Sequence, residues 1–189
     1  NSDLLKNVPL TSVLGDQQAA LFGQNCINSG DVKNTYGTGC FALTNTGNEL
    51  VHSNNGLLST VAYQKEGEDP QYALEGSVSI AGAAVQWLRD NLNIIDNSED
   101  IESLAMSVKD NGDVYFVPAF SGLFSPHWDE TARGVLVGLS RFSNKSHIAR
   151  AVLESVAYQS NELLESMEKD IGTTFDNVNV DGGMVVNNL

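Results

Sequence analysis

Residues 33–46 read KNTYGTGCFALTNT. This stretch is rich in Thr, Tyr, Phe and Leu, which favour strands, and Gly37 and Gly39 interrupt it. The pattern predicts two strands joined by a tight turn. A further turn at residues 45–48 would end the second strand.

More strands are predicted downstream of this hairpin. The runs at 58–63 and 72–75 flank the polar loop 64–70, which suggests a meander. The runs at 114–120 and 134–139 are short and almost continuously apolar, a pattern typical of strands that are covered on both faces.

Helical periodicity occurs in four segments. Apolar spacing predicts helices at 16–26 and 79–95, a third that begins at a capping Ser98, and a long one at 145–169. A last strand at 178–180 runs into a Gly-Gly turn. Because strands and helices alternate without internal repeats, the sequence predicts an α/β fold.

The chain is acidic, with 24 acidic and 10 basic residues and a formal charge of -14. This charge disfavours nucleic acid and anionic lipid as partners and points to a small molecule, whose phosphate would need backbone N–H groups or a metal ion. The longest apolar runs are much shorter than the roughly 20 residues that a membrane span needs. Cys26 and Cys40 form no zinc or disulfide motif, which fits a reducing compartment.

Three motifs are candidates for chemistry, each with a structural alternative. The turn 36–39 suits either a phosphate or a plain hairpin. The segment 178–188, VNVDGGMVVNN, suits either nucleotide binding or tight packing of a strand against a helix. Asp16 suits either a helix cap or a base, and Gln17 and Gln18 beside it could bind vicinal hydroxyl groups or simply face water.

Histidines and tryptophans give weaker signals. His52, His127 and His147 show no metal-ligand spacing, so we expect surface or capping roles for them. Trp87 and Trp128 are predicted to pack against other side chains.

Six collinear segments together resemble the FGGY carbohydrate kinases, and within that family the glycerol-phosphorylating branch. They are GDQQAALFGQ (15–24), KNTYGTGCFALTNTG (33–47), NGLLSTVAY (55–63), YALEGSVSIAGAAVQWLRDNL (72–92), VYFVPAFSGL (114–123) and VDGGMVVNN (180–188). Gly134-x-Leu136-x-Gly138-Leu139, followed after seven residues by His147, fits the family's C-terminal signature.

The resemblance implies a two-lobed actin and hexokinase-like ATPase fold with a ribonuclease H-like lobe, here incomplete. Residues 1–25 would be the tail of the N-terminal lobe, and residues 33–189 most of the nucleotide-binding lobe. The implied activity is ATP-dependent phosphorylation of glycerol with Mg²⁺ in the cytoplasm, with homo-oligomerisation left open. Residues 1–189 alone are expected to be inactive.

Site residues follow from the same resemblance. Asp16 corresponds to the base that also contacts glycerol, Gln17 to a further glycerol contact, Phe41 to an apolar wall, and Thr38 to a residue beside the nucleotide phosphates. Further nucleotide-binding positions are Gly82, Gln86, Gly183 and Asn187.

The family's phosphate loop, its metal-linked Asp and other glycerol ligands would lie upstream of residue 1, so the metal ligands stay unassigned. His127 stands where the family is expected to carry Tyr. Two rivals remain. One is a sugar kinase of the same family with another substrate, and the other is a non-catalytic actin-like nucleotide-binding module, which would not need Asp16 beside Gln17.

Overall fold

The hairpin predicted from residues 33–46 is present in the computed structural model, which describes residues 6–189. Strands β1 (Val32–Tyr36) and β2 (Cys40–Gly47) pair in antiparallel register. The Gly37 N–H donates to the Gly39 carbonyl at 2.9 Å and closes the turn. The predicted hairpin is therefore confirmed. Residues 1–25 were predicted to be the tail of an N-terminal lobe, and the first five of them lie outside the described residues.

The strand order corrects the predicted meander. Strands β3 (Leu58–Tyr63) and β4 (Gln71–Val78) are where the sequence predicted strands. With β7 (Asn179–Asp181) at the far edge, however, the sheet order is β3-β4-β2-β1-β7. β4 therefore lies between β2 and β3, because the connection 48–57 is long enough to carry the chain to the sheet edge before β4 returns. Strand β7 (Asn179–Asp181) is parallel to β1.

All four predicted helices are present. They are α1 (Asp16–Gly23), α2 (Gly82–Asp90), α3 (Asp100–Met106) and α4 (Lys145–Ile171). Helix α4 begins with a capping box in which Asn144 and His147 bond each other's backbone, which confirms the capping role of His147. It ends at Gly172, whose left-handed conformation stops the helix. In the part of the chain described, no helix is both long and apolar enough to cross a membrane.

Two predicted caps are wrong. Gly15 occupies the cap position of α1, and Asp16 is the first helical residue. Within residues 6–189 its carboxylate accepts one hydrogen bond, from the Gln17 N–H at 2.9 Å. Glu99, and not Ser98, occupies the cap position of α3. The Ser98 hydroxyl instead accepts a hydrogen bond from the Arg89 guanidinium at 3.0 Å. The side chain of Ser98 is thus engaged away from the helix start.

The prediction of two fully covered strands is also wrong. β5 (Tyr115–Val117) and β6 (Val135–Val137) form a separate two-stranded sheet. Its Phe116 side chain is buried, but the outward side chains of Tyr115 and Val117 are 47% and 41% exposed. The aromatic rings of Trp87 and Phe120 pack against Phe116 on one face, whereas the other face is only partly covered within residues 6–189.

The five-stranded sheet has helices on both faces. On one face, Leu163 and Met167 of α4 pack into an apolar cluster with Leu74 of β4. On the other, Leu21 of α1 packs with Leu43 of β2. This second layer fixes α1, which carries Asp16 and Gln17, against the sheet.

Candidate functional site

A cavity of about 450 Å³ lies between the β1–β2 turn, helices α2 and α3, and the segment that follows β7. All five residues predicted to bind nucleotide line it, although they are far apart in sequence: Thr38, Gly82, Gln86, Gly183 and Asn187. The fold thus brings this set together. Their role in binding stays a prediction.

Sequence reasoning missed most of the cavity wall. Its apolar side chains are Val85, Ile101, Leu153, Met184 and Val186, and its polar ones are Ser98, Glu99 and Glu102. Apolar walls with a few convergent polar groups are typical of sites for small molecules and cofactors. The helical spacing of α3 was visible in the sequence, but nothing in it indicated that α3 faces the glycine turns.

The N-terminus of α2 is held by the β1–β2 turn and not left open for an anion. The Ala81 and Ala83 N–H groups donate to the Thr38 carbonyl at 2.8 and 3.1 Å, and Gly82 N–H donates to the Gly37 carbonyl at 3.0 Å. A Cβ on Gly82 would lie 2.6 Å from that carbonyl oxygen, so this approach requires glycine. Thr38 is exposed, and its N–H and hydroxyl form no hydrogen bond within residues 6–189.

The charge of the cavity limits how it could bind phosphate. Among residues 6–189, no Lys or Arg side chain lines the cavity. Glu102 accepts two hydrogen bonds from Asn188, from its N–H and its side-chain amide, at 3.1 Å each, which tethers the segment after β7 to α3. Backbone N–H groups, hydroxyls and the side-chain amides of Gln86 and Asn187 are therefore the available phosphate donors, while the carboxylates suit hydroxyl or amine groups of a ligand.

A protein-bound metal centre is not formed by the described residues. No group of three or more His, Cys, Asp or Glu side chains within residues 6–189 converges as a cation site would require. Mg²⁺ in nucleotide sites is usually held by one or two carboxylates together with phosphates and waters. We therefore assign no Mg²⁺ ligand in this chain.

Two of the three residues predicted to bind the polyol, Gln17 and Phe41, meet at Lys33, which sequence reasoning missed. The Lys33 side chain is fully buried in β1. Its ammonium donates to Gln17 Oε1 at 2.5 Å, Thr35 Oγ1 at 3.0 Å and the Phe41 carbonyl at 3.0 Å. Gln17 and Phe41 are thus joined through one cation, and the only sequence signal was that Lys33 and Thr35 share one face of a strand.

Carboxylates surround this buried cation. Burial lowers the pKa of Lys33, and attraction from Asp181, Glu75 and Asp16 opposes that shift. For Asp181, burial raises the pKa, but hydrogen bonds, first from Thr35, outweigh it and leave the pKa below its ordinary value. Burial raises the pKa of Glu75. Exposed Asp16 therefore lies in the field of a cation whose charge is shared among several acids.

The two cysteines are buried and unpaired, so we predict that they resist thiol reagents in the folded protein. Burial raises the pKa of Cys40 to about 12 and also raises that of Cys26, which removes the reactive thiolate at neutral pH. Peptide mapping after labelling with a maleimide at pH 8 should find both unmodified until denaturant is added. Rapid labelling of either one in the folded state would contradict the packing described.

Most aromatic predictions are met by packing. Trp87 stacks on Phe116 with a centroid distance of 5.7 Å. Trp128 stacks on Phe124, although its side chain is half-exposed. His127 lies 3.0 Å from Glu162 in an exposed pair, which fits a surface role.

Comparison with known proteins identifies the family. Residues 32–189 match the C-terminal domain of the FGGY family of carbohydrate kinases. The chain belongs to this family. Among curated FGGY relatives, the glycerol kinase of Brucella anthropi is 64% identical over 98% of the chain, and that of Methylorubrum populi is 60% identical over 99%. The chain spans 37% of the length of each of these relatives.

Solved structures of FGGY kinases confirm the actin and hexokinase-like ATPase fold. Plasmodium falciparum glycerol kinase, crystallised with ADP, superposes with a TM-score of 0.90 and 40% identity over the whole chain and 38% of that protein. A xylulose kinase from Lactobacillus acidophilus gives a TM-score of 0.77 over 89% of the chain and 34% of its own, at 24% identity, which supports the fold alone.

Proposed function

We propose that this chain is the nucleotide-binding part of an ATP-dependent kinase that phosphorylates glycerol. The observation that carries the proposal is the convergence of five family nucleotide positions on one cavity. The likeness to glycerol kinases over nearly the whole chain supports the choice of glycerol. We further propose that residues 1–25 are the tail of the N-terminal lobe and that residues 33–189 belong to the C-terminal lobe.

In the proposed reaction, a terminal hydroxyl oxygen of glycerol attacks the γ-phosphorus of ATP. The new P–O bond forms as the bond to ADP breaks, and Asp16 takes the hydroxyl proton. Gln17 would bind the polyol, and Phe41 would pack against its carbon chain. Phosphoryl transfer demands mainly alignment and charge stabilisation, so we also propose Mg²⁺ as the partner of the ATP phosphates.

A substrate panel tests the proposal in the full-length protein that carries this sequence. We expect ADP release to depend on glycerol and to be much slower with a pentulose such as xylulose, with glycerol 3-phosphate as the product. A preference for the pentulose would indicate a different sugar kinase of the family. Slow ATP hydrolysis without a phosphorylated polyol would indicate a non-catalytic actin-like module.

We propose the cytoplasm as the location of the protein, and self-association as its assembly. Two unpaired, buried cysteines support a reducing compartment. Self-association stays a prediction that the mass of the full-length protein in solution would test.

A further inference from the structure

We propose that Lys33 is a positioning residue, which fixes the side-chain amide of Gln17 in the orientation that the polyol requires. The inference rests on the proposed function, because it assigns Gln17 to polyol binding. It goes beyond that function by naming a buried residue that touches no substrate and still determines how substrate is bound.

The position of Lys33 leaves its ammonium no freedom. Its side chain is fully buried on the α1 face of the sheet, where it pairs in register with Leu43. A lysine ammonium has three N–H donors. All three are used, by Gln17, Thr35 and the Phe41 carbonyl.

This arrangement determines which atom of the Gln17 amide points away from Lys33. An ammonium can only donate, so the atom facing it must be the carbonyl oxygen Oε1. The NH₂ group of Gln17 is therefore turned away and offers its donors to a ligand. A polyol hydroxyl oxygen could accept from Gln17 while its own proton points to the neighbouring Asp16 carboxylate.

The far end of α1 is held by hydrogen bonds of its own. Gln24 donates from its side-chain amide to Asp181 at 2.8 Å, and its carbonyl accepts from Asn179 at 2.8 Å. Both partners belong to β7, next to β1. These contacts and the apolar packing of Leu21 already hold the helix to the sheet. We therefore assign Lys33 the orientation of the Gln17 side chain in the first turn of α1.

The decisive variant is Lys33→Met in the full-length protein, since Met keeps the stem and removes the donors. We expect kcat/KM for glycerol to fall by about 10- to 100-fold, with an increased KM for glycerol and an unchanged KM for ATP. The double variant with Gln17→Ala should be no slower than Gln17→Ala alone within about threefold, because both changes remove one interaction.

Leu74→Ala is the structural control, since it weakens packing on the opposite face of the sheet and leaves both α1 and the ammonium contacts in place. It should lower the unfolding temperature without changing the KM for glycerol. If Lys33→Met fails to fold, Gln17→Glu serves instead, because it keeps an oxygen towards Lys33 and loses the N–H donors. It should fold normally and raise the KM for glycerol.

Two results would overturn the inference while the proposed function stands. One is an active Lys33→Met protein with unchanged glycerol kinetics. The other is a double variant whose loss in kcat/KM for glycerol equals the product of the losses in Lys33→Met and Gln17→Ala. An unchanged KM for glycerol in Gln17→Glu would show that Gln17 does not bind the polyol, which would remove this inference together with that part of the proposed function. A wild-type protein that phosphorylates no polyol would instead overturn the proposed function, and this inference with it.

Discussion

Asp16→Asn is expected to lower the turnover of the full-length protein by about 100- to 10,000-fold, the usual loss for a missing general base. The amide cannot take the hydroxyl proton, yet its oxygen can still accept the Gln17 N–H that Asp16 accepts at 2.9 Å. The fold and ATP binding should therefore be unchanged. Single-turnover kinetics with glycerol and calorimetry with ATP measure the two effects separately.

Glu66→Gln is the matched control for this variant. It removes one exposed carboxylate in the loop 64–70 and should have wild-type kinetics. If Asp16→Asn turned over glycerol at nearly the wild-type rate, Asp16 would not be the base.

Gly182→Ala is expected to destabilise the fold by about 2–4 kcal/mol. Gly182 has φ +97°, a conformation that is open almost only to glycine. An added Cβ would also lie 2.6 Å from the Tyr36 carbonyl carbon, where β1 meets the segment after β7. Strain and backbone overlap together should lower the midpoint of thermal unfolding by several degrees.

Gly183→Ala separates stability from binding at the adjacent position. A Cβ on Gly183 would meet nothing within 4 Å, but Gly183 lines the cavity. Its unfolding midpoint should be close to that of the wild type, while ATP affinity falls by about tenfold because a methyl group occupies ligand space. Equal unfolding midpoints for Gly182→Ala and Gly183→Ala would contradict the conformation described for Gly182.

Local patterns were enough to predict most elements. The glycines in the turn 36–39 and the apolar spacing in 145–169 carry information about their own segments, and β1, β2 and α4 formed as expected. The resemblance to a family supplied the eight site residues. No spacing rule would have linked Thr38 to Asn187, because their proximity depends on the crossover that places β7 beside β1.

Features that depend on tertiary contacts were missed. Lys33 is a charged residue in a strand, and such residues are usually exposed to solvent. Here α1 covers the side chain, and acids that are distant in sequence but near in space balance its charge. The place of β4 inside the sheet depends on a long connection whose path no residue pattern specifies. The outer face of β5 is apolar but half-exposed, since apolar content alone does not show which faces are covered.

A crystal structure of the full-length protein with an ATP analogue and glycerol would show directly where each substrate binds. We expect the nucleotide in the cavity lined by Thr38, Gln86 and Asn187, with a glycerol hydroxyl within hydrogen-bond distance of the Asp16 carboxylate and Gln17 Nε2. Nucleotide bound elsewhere, or glycerol remote from Asp16, would contradict this expectation.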